Sequence, residues 1–142
     1  GRIKMGIQEK VLLGNLDASR DWGFAGDYVE GMWMMLQNKK ADDWVLATGE
    51  SISVKEFANF AFSEAELNWE DYVEVSDKYL RPNEVDFLLG DYSKAKKDLG
   101  WKPKTSIKKL VKMMVESDML LAEQEKVLID KNLLKPTWDN PK

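Results

Sequence analysis

Residues 14–30 read GNLDASRDWGFAGDYVE, and this stretch carries the chain from a predicted strand into a predicted helix. The apolar run at residues 11–13 ends at Gly14, which is typical of a strand that enters a turn. From Asp27 onward, apolar residues recur at helical spacing, and Glu30 follows Asp27 by three residues as in a capping box. The stretch therefore predicts a strand, a turn and a helix in that order.

This first helix is apolar around nearly its whole circumference. Its large side chains are Tyr28, Val29, Met32, Trp33, Met34, Met35 and Leu36. A helix that is apolar on all sides is normally covered by other structure, so we expect it to be buried on more than one face.

Further segments carry the same two kinds of signal. Residues 44–47 (WVLA) predict a second buried strand, and residues 69–75 alternate weakly as in a strand. Residues 53–56 (SVKE) form a capping box in front of another helix. Residues 93–99 predict a short helix with Gly100 just past its end.

A long helix is predicted to close the chain, with Thr105 or Ser106 as its cap. Its predicted stripe consists of Ile107, Leu110, Val111, Met114, Leu121, Ala122, Glu125, Leu128 and Ile129. Short strands alternating with helices predict an α/β protein with a few short strands and about four helices. The strands are too few for a complete dinucleotide-binding sheet. We expect one domain over residues 1–132 and a tail over residues 133–142.

Composition excludes several classes of function. The 142 residues contain no cysteine and no histidine, which excludes disulfides, thiolate or imidazole metal sites and Ser-His-Asp triads. No stretch of about 18 apolar residues predicts a membrane span, and the amino terminus lacks the apolar core of a signal peptide. The net charge of −4 with both signs interspersed argues against nucleic-acid binding. We expect a cytoplasmic protein.

The sequence contains no recognisable catalytic set. None of its glycines forms a phosphate-binding G-x-G-x-x-G or G-x-x-x-x-G-K loop. Tyr92 and Lys96 have the spacing of a Tyr-x-x-x-Lys pair, but they open a short surface helix, and we interpret them as a solvated helix start. We therefore expect no catalytic residue, no metal ligand and no cofactor in this chain.

Two arginines are candidates for binding an anion. Arg20 lies between a strand end and a helix start, and Pro82 restricts the backbone directly behind Arg81. The guanidinium group suits bidentate contact with a diphosphate, and the carboxylate of Glu84 can bridge the two hydroxyls of a ribose. A surface ion pair is the alternative for either arginine.

Several motifs together resemble the GDP-mannose 4,6-dehydratase family. Residues 14–30 are similar to the family's G-N-L-D-A-x-R-D-W-G-H-A-x-D-Y-V-E, and residues 45–57 to I-A-T-G-E-x-x-S-V-R-E-F. Residues 81–91 match R-P-x-E-V-D-x-L-L-G-D. Phe24 stands where the family usually has His, and Gly26 where Lys or Glu is common.

The resemblance implies a Rossmann domain for NADP and a smaller carboxy-terminal portion for the GDP-sugar, of which this chain would be the latter. It implies that Arg20 and Arg81 clamp the diphosphate, that Glu84 meets the guanosine ribose and that Asn15 approaches the base. The residues that carry out the redox dehydration (a Ser or Thr, a Glu, and a Tyr-x-x-x-Lys pair) would belong to the other half, together with NADP.

Two alternatives remain open. The chain could be a free-standing, non-catalytic nucleotide-binding or assembly module, or a fragment of a related nucleotide-sugar epimerase or reductase. For this chain we expect at most weak binding of GDP or GDP-mannose. We also expect association with further copies of the chain or with a separately encoded Rossmann half.

Overall fold

The structure is a computed structural model that describes residues 1–136 and contains four helices and four three-residue strands within that range. In chain order the elements are β1 (Val11–Leu13), β2 (Ser19–Asp21), α1 (Ala25–Gln37), β3 (Ser51–Ser53), α2 (Val54–Glu64), β4 (Val73–Val75), α3 (Ser93–Leu99) and α4 (Ile107–Asp130), with single turns of 3-10 helix at Trp69–Asp71 and Asp77–Tyr79. The α/β class with few strands and four helices is confirmed. Residues 137–142 of the expected tail lie outside the described residues, and the domain boundary at residue 132 stays a prediction.

The chain divides into two compact units. Unit 1 is built from Gly1–Leu16, Lys55–Glu84 and Val111–Lys142, and unit 2 from Asp17–Val54 and Val85–Leu110. Within residues 1–136 each sheet has two strands, one sheet in each unit.

Unit 1 is organised around a parallel pair of strands. β1 pairs with β4 so that Val11 lies opposite Val73. Parallel strands need a long crossover, and the connection from β1 to β4 spans residues 14–72 and includes all of α2. Phe62 of α2 stacks on Tyr72 with ring centroids 5.9 Å apart, directly before β4 begins. This contact fixes the crossover helix against the strand that it leads to.

Unit 2 is organised around a buried tryptophan. β2 pairs antiparallel with β3, and Ser19 also bridges to Phe87. Trp101 is only 2% exposed and packs between the rings of Tyr28 and Tyr92, at centroid distances of 6.1 and 5.9 Å. Because a buried indole contributes a large apolar area, Trp101 holds α1 and the segment before α3 on one core.

The first helix differs from its prediction in two respects. α1 begins at Ala25, with Phe24 at the cap position and no capping side chain, so the capping box at Asp27 and Glu30 is wrong. The Asp27 carboxylate instead accepts hydrogen bonds from residues outside the helix. Burial on more than one face is also wrong, since these side chains are 56% to 82% exposed: Val29, Met32, Trp33 and Leu36.

The predicted strands are only partly correct. β1 is confirmed, but residues 44–47 form no strand, and β2 and β3 lie in polar sequence that gave no strand signal. Of residues 69–75, only Val73–Val75 is a strand, because Trp69–Asp71 turns as a 3-10 helix. The strand expected at residues 44–47 has no neighbouring strand to pair with among residues 1–136.

The other helix starts and ends are confirmed. α2 begins directly after Ser53. α3 ends at Leu99 and is followed by Gly100, whose φ of 71° is left-handed and favours glycine. α4 begins after Ser106, whose hydroxyl accepts a 3.4 Å hydrogen bond from the Lys109 N–H. The stripe predicted along α4 is not one buried face, because Leu110, Val111 and Ala122 are buried whereas Met114, Leu121 and Leu128 are exposed.

Within residues 1–136, no helix combines the length and the apolar character that crossing a lipid bilayer requires.

Candidate functional site

The carboxylate of Asp21, at the end of β2, joins three distant segments of unit 2. Its Oδ1 accepts hydrogen bonds from the N–H of Thr48 at 2.8 Å and from the Thr48 hydroxyl at 2.5 Å. Its Oδ2 accepts from the N–H of Gly49 at 2.9 Å and of Gly90 at 3.2 Å. One side chain thereby connects three motif blocks that are separated by up to 69 residues.

These hydrogen bonds determine the charge state of Asp21. Partial burial opposes ionisation, but the hydrogen bonds from Thr48, Gly49 and Gly90 outweigh it, so the pKa of Asp21 is lowered below its ordinary value. Asp21 therefore carries a negative charge at neutral pH, and all four of its donors point at that charge.

The backbone approaches this carboxylate closely, which restricts the residue type at position 90. A Cβ atom on Gly90 would lie 2.2 Å from the Cβ of Ala47, a residue that is itself buried. Gly49 has a φ of 74°, in the left-handed region. Both glycines thus allow their N–H groups to reach Asp21.

The side chain of Arg20 points away from that of Asp21. Successive side chains of a strand point to opposite faces, so the inward-facing Asp21 places Arg20 on the other face of β2. Arg20 is half-buried, and its Nη1 donates a 2.8 Å hydrogen bond to the Ser19 carbonyl. Trp22 donates from Nε1 to the Ile52 carbonyl at 3.3 Å, which reinforces the pairing of β2 with β3.

A polar cavity of about 320 Å³ lies in unit 2. Its walls include Trp22 and Tyr92, and the residues immediately before α4 complete it. Arg20 does not line this cavity.

The other three predicted site residues belong to unit 1. Asn15 follows β1, and Arg81 follows the turn Asp77–Tyr79. These two segments lie against each other, because a Cβ on Gly14 would be 2.4 Å from the carbonyl oxygen of Tyr79. The Leu13 carbonyl also accepts a 2.9 Å hydrogen bond from the N–H of Ser76.

Exposure differs among these three residues. Arg81 is exposed, whereas Asn15 and Glu84 are half-buried.

An apolar cavity of about 430 Å³ in unit 1 is lined by other residues. They include Arg2 and Glu125, which form a bidentate ion pair at 2.6 and 2.7 Å. The structure therefore brings the segments of Asn15 and Arg81 together without placing them in that cavity.

Sequence reasoning missed the residues that hold these segments in place. Asp21 was noticed only as part of a motif, and Asp27 only as a helix cap. The sequence did contain a signal for the Asp21 contact. The acidic residue Asp21 and the glycine-containing turns at Gly49 and Gly90 stand in three separate motif blocks. Main-chain N–H groups in such turns are common partners for a carboxylate. Among residues 1–136, no group of acidic side chains could hold a metal ion.

Comparison with known sequences identifies relatives over most of the chain. The sequence profile described as GDP-mannose 4,6 dehydratase matches residues 1–114. GDP-mannose 4,6 dehydratase 1 of Arabidopsis thaliana is 62% identical over 130 residues, which are 92% of this chain and 36% of that protein. The human GDP-mannose 4,6 dehydratase is 46% identical over 137 residues, covering 84% of this chain and 37% of that protein. The chain thus spans little more than a third of the length of these relatives.

Solved structures share the fold at low sequence identity. UDP-glucose 4-epimerase from Thermotoga maritima, solved with UDP-glucose, aligns with a TM-score of 0.70 at 22% identity, over 84% of this chain and 37% of that one. dTDP-glucose 4,6-dehydratase from Bacillus anthracis, in complex with NAD, aligns with a TM-score of 0.72 at 16% identity, over 84% and 38%. At these identities the likeness supports the fold alone.

Proposed function

The chain belongs to the GDP-mannose 4,6-dehydratase family, and we propose that it is the nucleotide-sugar-binding part of such an enzyme. The observation that supports this most directly is the Asp21 carboxylate. It gathers Thr48, Gly49 and Gly90, so three of the motif blocks shared with the family are folded together within this chain. Such a contact would give the proposed substrate site a fixed framework.

The proposed substrate is GDP-mannose. Arg20 and Arg81 would bind its diphosphate, since each guanidinium offers a planar pair of donors that matches two phosphate oxygens. Glu84 would accept hydrogen bonds from the ribose hydroxyls, and Asn15 would approach the base. The contact of Gly14 with Tyr79 supports this assignment for unit 1, because it holds the segments of Asn15 and Arg81 side by side.

In the whole enzyme the part of the fold outside this chain would hold NADP, which would supply the redox chemistry for converting GDP-mannose, with loss of one water, into the 4-keto-6-deoxy sugar. The residues assigned here would hold and orient the substrate and would transfer no proton or hydride themselves.

We propose that the rest of the family's fold covers the exposed apolar surface of unit 2. That surface is formed by Val29, Met32, Trp33 and Leu36 on α1, together with Val45. Monomeric proteins seldom leave so many large apolar side chains in water. A dinucleotide-binding part, on the same polypeptide or on another, would remove them from solvent.

Calorimetry with GDP and GDP-mannose tests the substrate assignment. Charge-assisted contacts contribute about 1.5–3 kcal/mol each, but with only part of the pocket present we expect a Kd no better than about 1 mM. The double variant Arg20→Ala/Arg81→Ala should abolish the signal. The control Lys97→Ala/Lys102→Ala removes the same charge from exposed positions and should leave it unchanged. Binding that survives the arginine variant would contradict the proposed site.

Complementation separates the enzyme part from a free-standing module. The chain alone should not turn over GDP-mannose with NADP added. Mixing it with the part of the Arabidopsis relative that lies outside the matched region should restore turnover, and Arg20→Ala should lower it. A chain that binds nucleotide yet never restores turnover would favour the non-catalytic module.

A further inference from the structure

The polar cavity of unit 2 combines two aromatic rings with several hydroxyl groups in its walls. Trp22 and Tyr92 supply the rings, and Thr105 and Ser106 are among the residues that supply hydroxyls. Its volume of about 320 Å³ lies at the small end of the range of ligand sites, which is about 300–1,000 Å³. The cavity therefore has the size to hold a ligand of one or two rings.

Two hydroxyl groups of the wall have no hydrogen-bond partner within residues 1–136. Thr105 is only 9% exposed, and its N–H donates a 2.8 Å hydrogen bond to the Asp27 carboxylate, but its hydroxyl makes no such bond. The hydroxyl of Tyr92 makes none either. Polar groups that are nearly buried usually have a partner, and a hydroxyl can both donate and accept. Both groups are therefore available to a ligand that carries hydroxyls itself.

The charges around the cavity favour an uncharged ligand. Glu50 is the one acidic residue among the described wall residues, and it forms no ion pair within residues 1–136, so it opposes an anion. Lys104 does not offset that charge, because its Nζ lies 2.6 Å from both carboxylate oxygens of Glu30. Ile107 in the wall is the first residue of α4, and the positive end of that helix dipole opposes a cation.

Contacts within unit 2 hold the walls in place without a ligand. Trp22 donates from Nε1 to the Ile52 carbonyl at 3.3 Å, and both residues line the cavity. The Tyr92 ring packs edge-on against the buried Trp101, at a centroid distance of 5.9 Å. The main chain at Thr105 is fixed by its hydrogen bond to Asp27. A site formed in advance loses little conformational freedom when a ligand binds.

We propose that this cavity binds an uncharged polyhydroxyl ligand of the size of one monosaccharide. The hydroxyls of Thr105 and Tyr92 pair with sugar hydroxyls, and the Glu50 carboxylate accepts from another. The apolar C–H face of the sugar ring packs on the Trp22 or Tyr92 ring. None of the four residues proposed for GDP-mannose lines the cavity, so this ligand is a second one.

An NMR titration with D-glucose, D-mannose and D-galactose tests the ligand class. At least one hexose should shift the amide signals of Thr105 and Ser106 and the indole signal of Trp22 to saturation, with a Kd of about 1–10 mM. Sodium phosphate and tetramethylammonium chloride, which probe the two charged classes, should leave these signals in place. Saturation by either salt but by no hexose, or by none of the five, overturns the proposal.

Two variants test the assigned groups. Thr105→Val removes a hydroxyl without a partner in residues 1–136, so the fold should remain and hexose binding should weaken about tenfold. Glu50→Gln changes an exposed side chain and should weaken binding several-fold, whereas the matched control Glu64→Gln, exposed on α2, should bind as the parent does. If Thr105→Val fails to fold, the Glu50 and Glu64 pair decides. Parent-like binding by Glu50→Gln overturns the assignment.

The double variant Arg20→Ala/Arg81→Ala separates this site from the proposed GDP-mannose site. It should lose GDP binding and keep the hexose-induced shifts, and GDP should not compete with the hexose. Loss of hexose binding in this variant would mean that the sugar occupies the GDP-mannose site, and it would overturn the proposal of a second ligand. The hexose result does not depend on whether GDP binds, so the two proposals can fail separately.

Discussion

The indole Nε1 of Trp101 donates a 2.9 Å hydrogen bond to the main-chain oxygen of Asp27, and both residues are buried. The carboxylate of the same Asp27 accepts from the N–H groups of Lys104 and Thr105 at 2.9 and 2.8 Å. One residue in the first turn of α1 thus holds both ends of the segment 101–105. The carboxylate that could have capped the helix is engaged in tertiary structure.

Asp27→Ala should destabilise the protein by about 2–4 kcal/mol, because it leaves two main-chain N–H groups without a partner, one of them buried. Urea denaturation measures this cost. Glu30→Ala, on the same helix, removes an exposed ion pair with Lys104 and should cost less than about 1 kcal/mol. Equal costs for the two variants would show that the Asp27 contacts are not structural.

Asp21→Asn should destabilise the protein by about 1–3 kcal/mol at pH 7. All four groups around the side chain are donors, so the amide NH₂ must face a donor on one side. Thr48→Val removes only the hydroxyl and should cost less than Asp21→Asn. If Thr48→Val costs more, the hydroxyl rather than the carboxylate is the main contact.

The stabilising effect of Asp21 should depend on pH. Its folded-state pKa is lowered, so its contribution is fully present above the unfolded value of about 3.9 and is lost as the pH falls through the folded value. The difference in unfolding free energy between the parent and Asp21→Asn should therefore shrink below about pH 4. Other carboxylates are common to both proteins and cancel. A difference that stays constant down to pH 2 would contradict the shift.

Gly90→Ala should be more destabilising than Gly6→Ala. The new methyl group at position 90 would lie 2.2 Å from the Ala47 Cβ, and relieving this clash should cost about 2–3 kcal/mol. Gly6 has open space around it and a φ of 72°, so alanine there costs about 1 kcal/mol of backbone strain alone. Thermal unfolding of both variants gives the comparison, and the reverse order would be inconsistent with close approach at Gly90.

The sequence correctly predicted the helix ends that are determined by the residues next to them in the chain. Gly100 ends α3 and Ser106 precedes α4, because glycine favours a left-handed φ and serine can cap a helix. The prediction of a strand at residues 44–47 was wrong because a strand also needs a neighbouring strand to pair with, and the sequence of the segment itself does not specify one. β2 and β3, with the polar sequences SRD and SIS, have a partner but no apolar pattern.

The candidate site was predictable only in part for the same reason. Arg20 and Arg81 stand in motifs and could be selected by residue chemistry. The role of Asp21 depends on donors that lie 27 to 69 residues away along the chain. Such a contact becomes visible only when the fold is known.

The two compact units are interleaved along the polypeptide, which passes from one to the other after Leu16, Val54, Glu84 and Leu110. No single cut in the gene can therefore release either unit as a continuous piece. A ribosome must have made most of the chain before unit 2 is complete, and Leu110 is its last residue. A stop codon or proteolytic nick anywhere between residues 17 and 110 removes or severs parts of both. The two units should accordingly be synthesised and degraded together, and neither can be exchanged between genes without the other.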